Sequence, residues 1–227
     1  AKNMAVIAVV LIVGVGGTVD NISTVSGPTP DLRTVSAVNQ RDVLGWAFDG
    51  SVDYQFDTIL EPTITIGYAY GSGDDGQGDD SAFRQSDIDG NTSQFPEDRV
   101  SSSLRNYGEV LRPELSNIHI ANAGLNIPVL KASDASLNYF AYWLDNENTG
   151  LRSSGISAVL NGRDNYLGQA LDISTNINIG EELQLTNPIL ENTALRIKFC
   201  GFLSGDAFGT AVDKFAYRGS SELRIKF

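Results

Sequence analysis

Apolar and polar residues alternate one by one along several segments of the chain, which is the period of a β-strand. In residues 46–56 most large apolar side chains stand at even positions, and polar or small residues fill the odd positions. Residues 62–72 repeat the pattern, with isoleucines and tyrosines on one face. A helix would scatter such side chains around its circumference, whereas a strand collects them on one face. The two segments, separated by a short break, predict a β-hairpin.

Similar alternation elsewhere in the chain predicts eight strands in total. It is weaker in residues 135–146, where both faces carry aromatic side chains. The apolar run MAVIAVVLIVGV, near the N-terminus, is shorter than the roughly 20 residues of a transmembrane helix. Its valines and isoleucines, with no A-x-A-like cleavage site after them, favour a strand over a signal-peptide core. The predicted strands are residues 4–16, 44–57, 62–72, 116–129, 135–146, 167–180, 194–204 and 214–227.

The predicted connections alternate between short and long. This order is expected when all short turns lie at one end of an antiparallel sheet and all long loops at the other, as in bacterial outer-membrane barrels. The short connections are residues 58–61, 130–134 and 181–193, and the long ones are 17–43, 73–115, 147–166 and 205–213.

Strand length separates two all-β architectures that both show this alternation. A soluble antiparallel sandwich has strands of about 5 or 6 residues, whereas a tilted strand needs about 9 to 11 residues to cross a bilayer. Several predicted strands here reach about 12 or 14 residues, and their number is even. We therefore expect an all-β fold, an antiparallel transmembrane β-barrel, with the soluble sandwich as the alternative.

Composition excludes several classes of function. The chain has 227 residues, with 28 acidic and 16 basic side chains and a net charge of -12, so we expect no nucleic-acid partner. A single cysteine, Cys200, excludes an intrachain disulfide and a cysteine-based zinc site, and a single histidine, His119, excludes His-paired metal motifs.

Catalysis has little support in the sequence. His119 is the only histidine, and the chain has no G-x-S-x-G motif that would place a nucleophilic serine. A pair of carboxylates for glycoside hydrolysis stays open, although Asp49, Asp53 and Asp57 are expected to face water. We therefore predict that the protein is not an enzyme, with an outer-membrane enzyme as the alternative class.

The acidity of the chain is concentrated in one predicted loop. Its GSGDDGQGDD segment lacks the Lys-Ser/Thr of a phosphate-binding loop, and its spacing matches no EF-hand. We expect a solvated extracellular loop, without a cofactor and with at most weak binding of a divalent cation. Eight carboxylates account for two-thirds of the net charge, namely those of Asp74, Asp75, Asp79, Asp80, Asp87, Asp89, Glu97 and Asp98.

Three segments and the aromatic C-terminal Phe227 resemble the alginate-export family of outer-membrane porins. They are GYAYGSGDD at residues 67–75, FRQ at 83–85 and YGEVLRPELSNI at 107–118. The resemblance covers residues 44–227 and looks like the C-terminal portion of the family's longer barrels, which have eighteen strands in one chain. It implies a bacterial outer-membrane location and passage of the polyanion alginate through an arginine-lined pore.

The resemblance leaves the closure of the barrel open. Residues 1–227 form one predicted β-barrel domain, which would be part of a larger barrel completed by further strands or by other chains. A small barrel that closes alone is the other possibility. The implied partners are outer-membrane lipid, lipopolysaccharide, and an anionic polysaccharide or small anionic solute.

Charged residues on the polar faces of the strands are the candidate pore lining. Bases on the last two strands would form a basic stripe, which suits a carboxylate-bearing polymer, and aspartates on the second strand would form an acidic ladder. Alternatively, inward charges pair with one another in a narrow or plugged interior. By resemblance, Arg84 and Arg105 lie near the pore mouth, where a folded-in loop would narrow the channel. The candidate lining residues are Arg196, Lys198, Arg218, Arg224, Lys226, Asp49, Asp53, Asp172, Arg84 and Arg105.

The predicted function is therefore an outer-membrane channel for export or diffusion of an anionic solute, with an acidic polysaccharide such as alginate as the expected cargo. Two alternatives stay open: a structural or adhesive barrel that does not conduct, and a soluble sandwich that binds carbohydrate. Export and uptake porins share the same pattern, so the direction of transport does not follow from the sequence.

Overall fold

A computed structural model describes residues 4–13, 18–26, 33–84, 107–185, 187, 193–210 and 213–225, with side chains from residue 42 onward. Within these residues, ten β-strands form an antiparallel sheet of eight strands and a separate hairpin of two. The strands are β1 Met4–Val13, β2 Thr18–Ser26, β3 Arg33–Asp42, β4 Trp46–Gln55, β5 Thr63–Gly71, β6 Ile118–Pro128, β7 Asp134–Trp143, β8 Tyr166–Asn178, β9 Thr193–Ser204 and β10 Phe215–Ile225.

Helical structure in the described part is limited to two short elements. They are α1, Ile179–Glu182, and a 3-10 turn at Asp206–Phe208. None of the helices described is long and apolar enough to cross a membrane. The prediction of an all-β antiparallel fold is thus confirmed.

All eight predicted strands are present in the sheet, including β1 in the apolar N-terminal run. The sequence pattern missed the hairpin of β2 and β3, which lies inside the predicted connection 17–43 and pairs Thr18 with Asp42. Its segments, TVDNISTVS and RTVSAVNQRD, mix β-branched and polar residues without collecting large apolar side chains on one face. Their β-propensity was therefore not accompanied by the alternation that identified the other strands.

The sheet is a meander in which β1 pairs with β4 and each later strand pairs with the next one in sequence. The strand ends that short connections join, those between β4 and β5, β6 and β7, and β8 and β9, lie at one end of the sheet, which we call the short-turn end. The strand ends that longer connections join, those between β1 and β4, β5 and β6, β7 and β8, and β9 and β10, lie at the other, the long-loop end. In the described part, β1 and β10 each have one strand neighbour, so each carries a sheet edge.

The outer face of the sheet, defined by its exposed apolar side chains, follows the predicted alternation. On β5, Ile66 is 64% exposed, while the preceding residue, Thr65, lies on the other face and is buried. On β9, Phe199 is 55% exposed while Cys200 is buried. Trp46 and Tyr68 are also exposed rather than packed in a core, which is the opposite of a soluble sandwich. An apolar outer face opposite a more polar inner face is typical of strands that contact lipid.

Aromatic rings mark both ends of this outer face. At the long-loop end, ring contacts join Trp46 to Tyr70, Tyr70 to His119 and Trp143 to Tyr166. At the short-turn end, Tyr54 lies edge-on to Phe56. Along β4 the two groups are eight to ten residues apart, roughly 27–33 Å, which a tilt of about 40° reduces to about 20–25 Å. This matches the apolar band between the aromatic girdles of outer-membrane barrels, which is about 25 Å tall.

One carboxylate joins two of the short turns. Glu182 accepts hydrogen bonds from the Ala132 backbone N–H at 2.7 Å and from the Ser133 hydroxyl at 2.8 Å. These donors lower the pKa of Glu182, with the backbone N–H of Ala132 as the largest cause. Since the folded pKa is depressed, this contact stabilises the fold above the ordinary glutamate range and is lost as pH falls through the folded pKa.

Replacing Ile66 with Arg tests the outer face directly. A guanidinium in the middle of a lipid-contacting strand should lower the free energy of unfolding by about 2–4 kcal/mol. Ser220→Arg, on the inner row of β10, is the matched control and should change it by about 1 kcal/mol or less, the cost of a like charge opposite Lys198 in the strand register. Denaturant titration of the complete protein folded into lipid vesicles measures both values. Equal losses for the two variants would contradict the assignment of faces.

Candidate functional site

Residues 107–117, which we call the inner loop, fold back across the inner face of the sheet. Leu111 is fully buried and Leu115 is 2% exposed, against Phe140, Tyr142 and other apolar side chains of the sheet. Burial of two leucine side chains contributes about 3–6 kcal/mol. The long-loop half of the inner face is therefore an apolar core, and the inner loop is part of that core.

Glycines allow the inner loop to approach the sheet. A Cβ at Gly71 on β5 would lie 2.5 Å from the backbone carbonyl carbon of Leu115. Gly108 has a φ of +87°, and a Cβ there would lie 2.1 Å from the hydroxyl oxygen of Tyr142. That hydroxyl donates a hydrogen bond of 2.9 Å to the Tyr107 carbonyl. Two glycines of the GYAYGSG and YGEV segments thus serve close backbone packing.

Polar contacts fix the first residues of the inner loop, Tyr107 to Glu109, to three strands. We call these residues the loop tip. The Tyr107 hydroxyl donates to Asp49 of β4 at 2.7 Å, and the Glu109 backbone N–H donates to Asp172 of β8 at 2.8 Å. Lys198 of β9 donates to the Glu109 carboxylate in an ion pair. Asp49, Asp172 and Lys198 were predicted as pore lining, and the structure brings all three to the inner loop.

The acidic ladder of β4 has hydrogen-bond partners along its length. Asp49 bonds to the inner loop, and Asp53 accepts a hydrogen bond of 2.5 Å from the Thr65 hydroxyl on β5. Asp57 is exposed beyond the strand end. In the described part, then, two of the three predicted ladder members make specific contacts on the inner face. That the ladder lines a pore stays a prediction.

The described bases of the basic stripe lie on one face of β9 and β10, and their environments differ. Arg196 is 6% exposed and donates from Nε to the Asn176 side-chain oxygen at 2.6 Å. Arg218 is exposed and Arg224 is half-buried. Glu222 stands directly opposite Arg196 in the strand register, so the stripe contains an acidic residue. Lys226 and Arg105 lie outside the described residues.

A polar network continues from the basic stripe towards the short-turn end. Asp134 of β7 accepts hydrogen bonds from the side chains of Asn126, at 2.9 Å, and Asn176, at 3.0 Å. Ser136 and Ser174 are hydrogen-bonded at 2.6 Å between neighbouring strands. The inner face therefore divides into an apolar long-loop half and a polar short-turn half.

Arg84 occupies a junction between loops. It forms an ion pair with Asp80, which is 8% exposed. The Asp80 backbone donates to the Asp42 carbonyl at 2.7 Å and accepts from the Leu44 N–H at 2.9 Å, while Phe83 is buried in the core. Asp80 thus departs from the expected solvated loop, because it joins the acidic segment to the end of β3. Whether Arg84 also lies at a pore mouth stays a prediction.

Asn117 joins the end of the inner loop to the next long connection. It is 1% exposed with a φ of +56°, and its amide nitrogen donates to the carbonyls of Asn146, at 2.9 Å, and Thr149, at 2.6 Å. Its side-chain oxygen accepts the Asn146 N–H at 2.7 Å. This contact has no periodic signal in the sequence, although asparagine after PELS is a residue type that tolerates positive φ.

The described residues contain no group of three or more His, Cys, Asp or Glu side chains that could hold a metal ion. Cys200 is buried, and its thiol lies against Asp172. Half of the eight loop carboxylates, Asp87, Asp89, Glu97 and Asp98, fall outside the described residues. Weak divalent-cation binding by the acidic loop therefore stays a prediction.

Comparison with known proteins supports one family. A family model described as alginate export matches residues 34–219. An alginate production protein AlgE from Pseudomonas aeruginosa is 30% identical over 213 residues, which cover 92% of this chain and 42% of that protein. AlgE from Pseudomonas syringae pv. tomato is 27% identical over 93% of this chain, and AlgE from Azotobacter vinelandii is 26% identical over 58%. The chain spans less than half the length of the relatives it matches.

Replacing Gly108 with Ala tests the packing of the inner loop. The added Cβ should clash with Tyr142 as well as strain the backbone, at a combined cost of about 2–4 kcal/mol in the free energy of unfolding. Gly76→Ala is the matched control, because Gly76 has a similar φ of +78° but no atom within 4 Å of the added Cβ. It should cost only about 1 kcal/mol. Denaturant titration that gives the same loss for both would show that the close approach to Tyr142 is unimportant.

Proposed function

The chain belongs to the alginate-export family, and we propose that it forms part of an outer-membrane channel that carries an acidic polysaccharide. The observation that carries this proposal is the inner loop, which packs on the inner face of a sheet with an apolar outer face and contacts the charged side chains of Asp49, Asp172 and Lys198 there. A loop in this position would narrow a channel closed by the sheet. Charged side chains beside the loop would then act on the solute at close range.

Further strands would complete the barrel. Since β1 and β10 each have one strand neighbour in the described part, both edges can accept another antiparallel strand. This chain matches 42% of the P. aeruginosa relative. In proportion, a sheet of eight strands from that share corresponds to about nineteen strands in the whole protein, close to the eighteen of the family resemblance. We therefore favour a single barrel to which residues 1–227 contribute the C-terminal portion.

The basic stripe would guide a polyanion without holding it tightly. Arg224 lies on the inner face of β10, diagonal to the buried Arg196 of β9, and Arg218 lies further along the same face, opposite Cys200. Glu222 and Asp134 place acidic groups among these guanidinium groups. Conduction requires binding that is favourable enough for entry and weak enough for exit, and a mixed surface of this kind meets both needs.

Alginate is the proposed solute because three AlgE proteins, each named for alginate production, align with this chain. Its carboxylates suit the guanidinium groups of the basic stripe, and its hydroxyls suit the asparagine and serine side chains of the short-turn half. Outer-membrane lipid and lipopolysaccharide would contact the apolar outer face. We propose transport without catalysis, since His119 contacts Tyr70 in the aromatic girdle rather than groups on the inner face.

A structural barrel that does not conduct is the second candidate. It is favoured by the packing of the inner loop, which fills the long-loop half of the inner face with apolar side chains. Planar-bilayer recording of the complete protein separates the two. A steady single-channel conductance supports transport, and its absence supports a plugged structural barrel.

Reversing two charges of the basic stripe should change ion selectivity. Arg218→Glu together with Arg224→Glu should lower the anion-to-cation permeability ratio about fivefold or more, because these charges would act at short range inside the channel. Asp79→Asn, in the exposed acidic loop, should leave the ratio almost unchanged because salt screens exposed charges. Reversal potentials in a salt gradient measure both. A larger shift for Asp79→Asn would show that the acidic loop controls the conducting path.

A further inference from the structure

Glu109 brings a carboxylate from the chain itself onto the basic stripe. It forms an ion pair with Lys198, and the two side chains are only 12% and 15% exposed. Lys198 lies on the same face as Arg196, two residues away on β9. A uronate carboxylate of a polysaccharide is the same chemical group as the one that Glu109 places there. In this ion pair, the Lys198 ammonium already has a carboxylate partner of the kind that an anionic solute would supply.

The backbone around Glu109 is held by contacts that do not involve its carboxylate. Its own N–H donates to Asp172, and the neighbouring Tyr107 is bonded to Asp49 through its hydroxyl and to Tyr142 through its carbonyl. Two residues further along, Leu111 is fully buried. The position of the inner loop therefore does not depend on the pairing of the Glu109 carboxylate with Lys198.

We propose that Glu109 determines specificity as an internal counter-ion of Lys198, which a solute carboxylate must displace. This inference rests on the proposed transport of an acidic polysaccharide. An exchange of one carboxylate for another keeps the Lys198 ammonium paired, and the displaced Glu109 carboxylate has to reach water so that no mostly buried charge is left without a partner. A polymer with a carboxylate on every sugar presents such groups at high local concentration and competes well with Glu109. A neutral sugar chain cannot make the exchange.

Glu109→Gln tests the proposal with little change in shape. Glutamine can still accept a hydrogen bond from Lys198, but it no longer carries the competing charge. In the complete protein, the anion-to-cation permeability ratio should rise roughly two- to sixfold, the Coulomb effect of one charge about 8 Å from a permeating ion in water. The concentration of an oligouronate of defined length that halves the chloride current should fall about threefold or more.

Two further variants distinguish direct contact from a general effect of charge. Glu109→Asp keeps the charge but shortens the side chain, so oligouronate block should tighten as in Glu109→Gln while the permeability ratio changes little. In a Lys198→Gln background, Glu109→Gln should no longer affect the block, because the competition takes place on Lys198. Glu114→Gln is the matched control: it removes a charge from the same inner loop, where Glu114 lies 3.9 Å from Arg152, and its effect on block should not depend on Lys198.

The outcomes separate this inference from the proposed function. A complete protein that conducts and is blocked by oligouronate, with the same block in Glu109→Gln, overturns the role of Glu109 and leaves the channel standing. An effect of Glu109→Gln that persists in the Lys198→Gln background also overturns it. A protein without conductance or oligouronate block overturns both. Near-ultraviolet circular dichroism of each variant in detergent verifies its packing, and Glu109→Asp provides the same test of block should Glu109→Gln not fold.

Discussion

Apolar packing between the inner loop and the sheet is the interaction on which the rest of the structure depends. Leu111 and Leu115 are buried against aromatic side chains of the inner face, although the outer face of the same strands is also apolar. The long-loop half of the sheet is therefore apolar on both sides. Gly71 and Gly108 allow the loop backbone to lie close enough for this packing. The charged contacts of the loop tip depend on this apolar packing, because it brings the loop to the charged side chains of the strands.

Once the inner loop is packed, charges beside it must find partners. An ammonium or carboxylate removed from water is costly unless it is paired or hydrogen-bonded. Lys198 pairs with Glu109, and Asp49 and Asp172 accept hydrogen bonds from the loop. The loop tip is thereby fixed to strands β4, β8 and β9. The inner face therefore carries charges that already have partners within the chain, rather than an open row of basic side chains.

The two edges of the sheet connect the architecture with the family comparison. A sheet with unpaired edges and an apolar outer face is not a stable end state in a bilayer, because backbone N–H and C=O groups there have no water to bond. The described strands leave such edges at β1 and β10. Both Pseudomonas relatives are more than twice as long as the region that matches this chain.

The sequence alone determined the eight strands of the large sheet, their faces and the placement of short and long connections, because a period of two and turn residues are local properties. It also placed Arg196, Lys198, Arg218 and Arg224 on one face. It did not determine the hairpin of β2 and β3, whose segments lack that period. Only the tertiary structure decided the partners of these charges and the inward path of residues 107–117. It also showed that Asp80 is buried and bonded to the end of β3. These features depend on contacts between residues up to 89 positions apart, and such contacts leave no periodic signal along the chain.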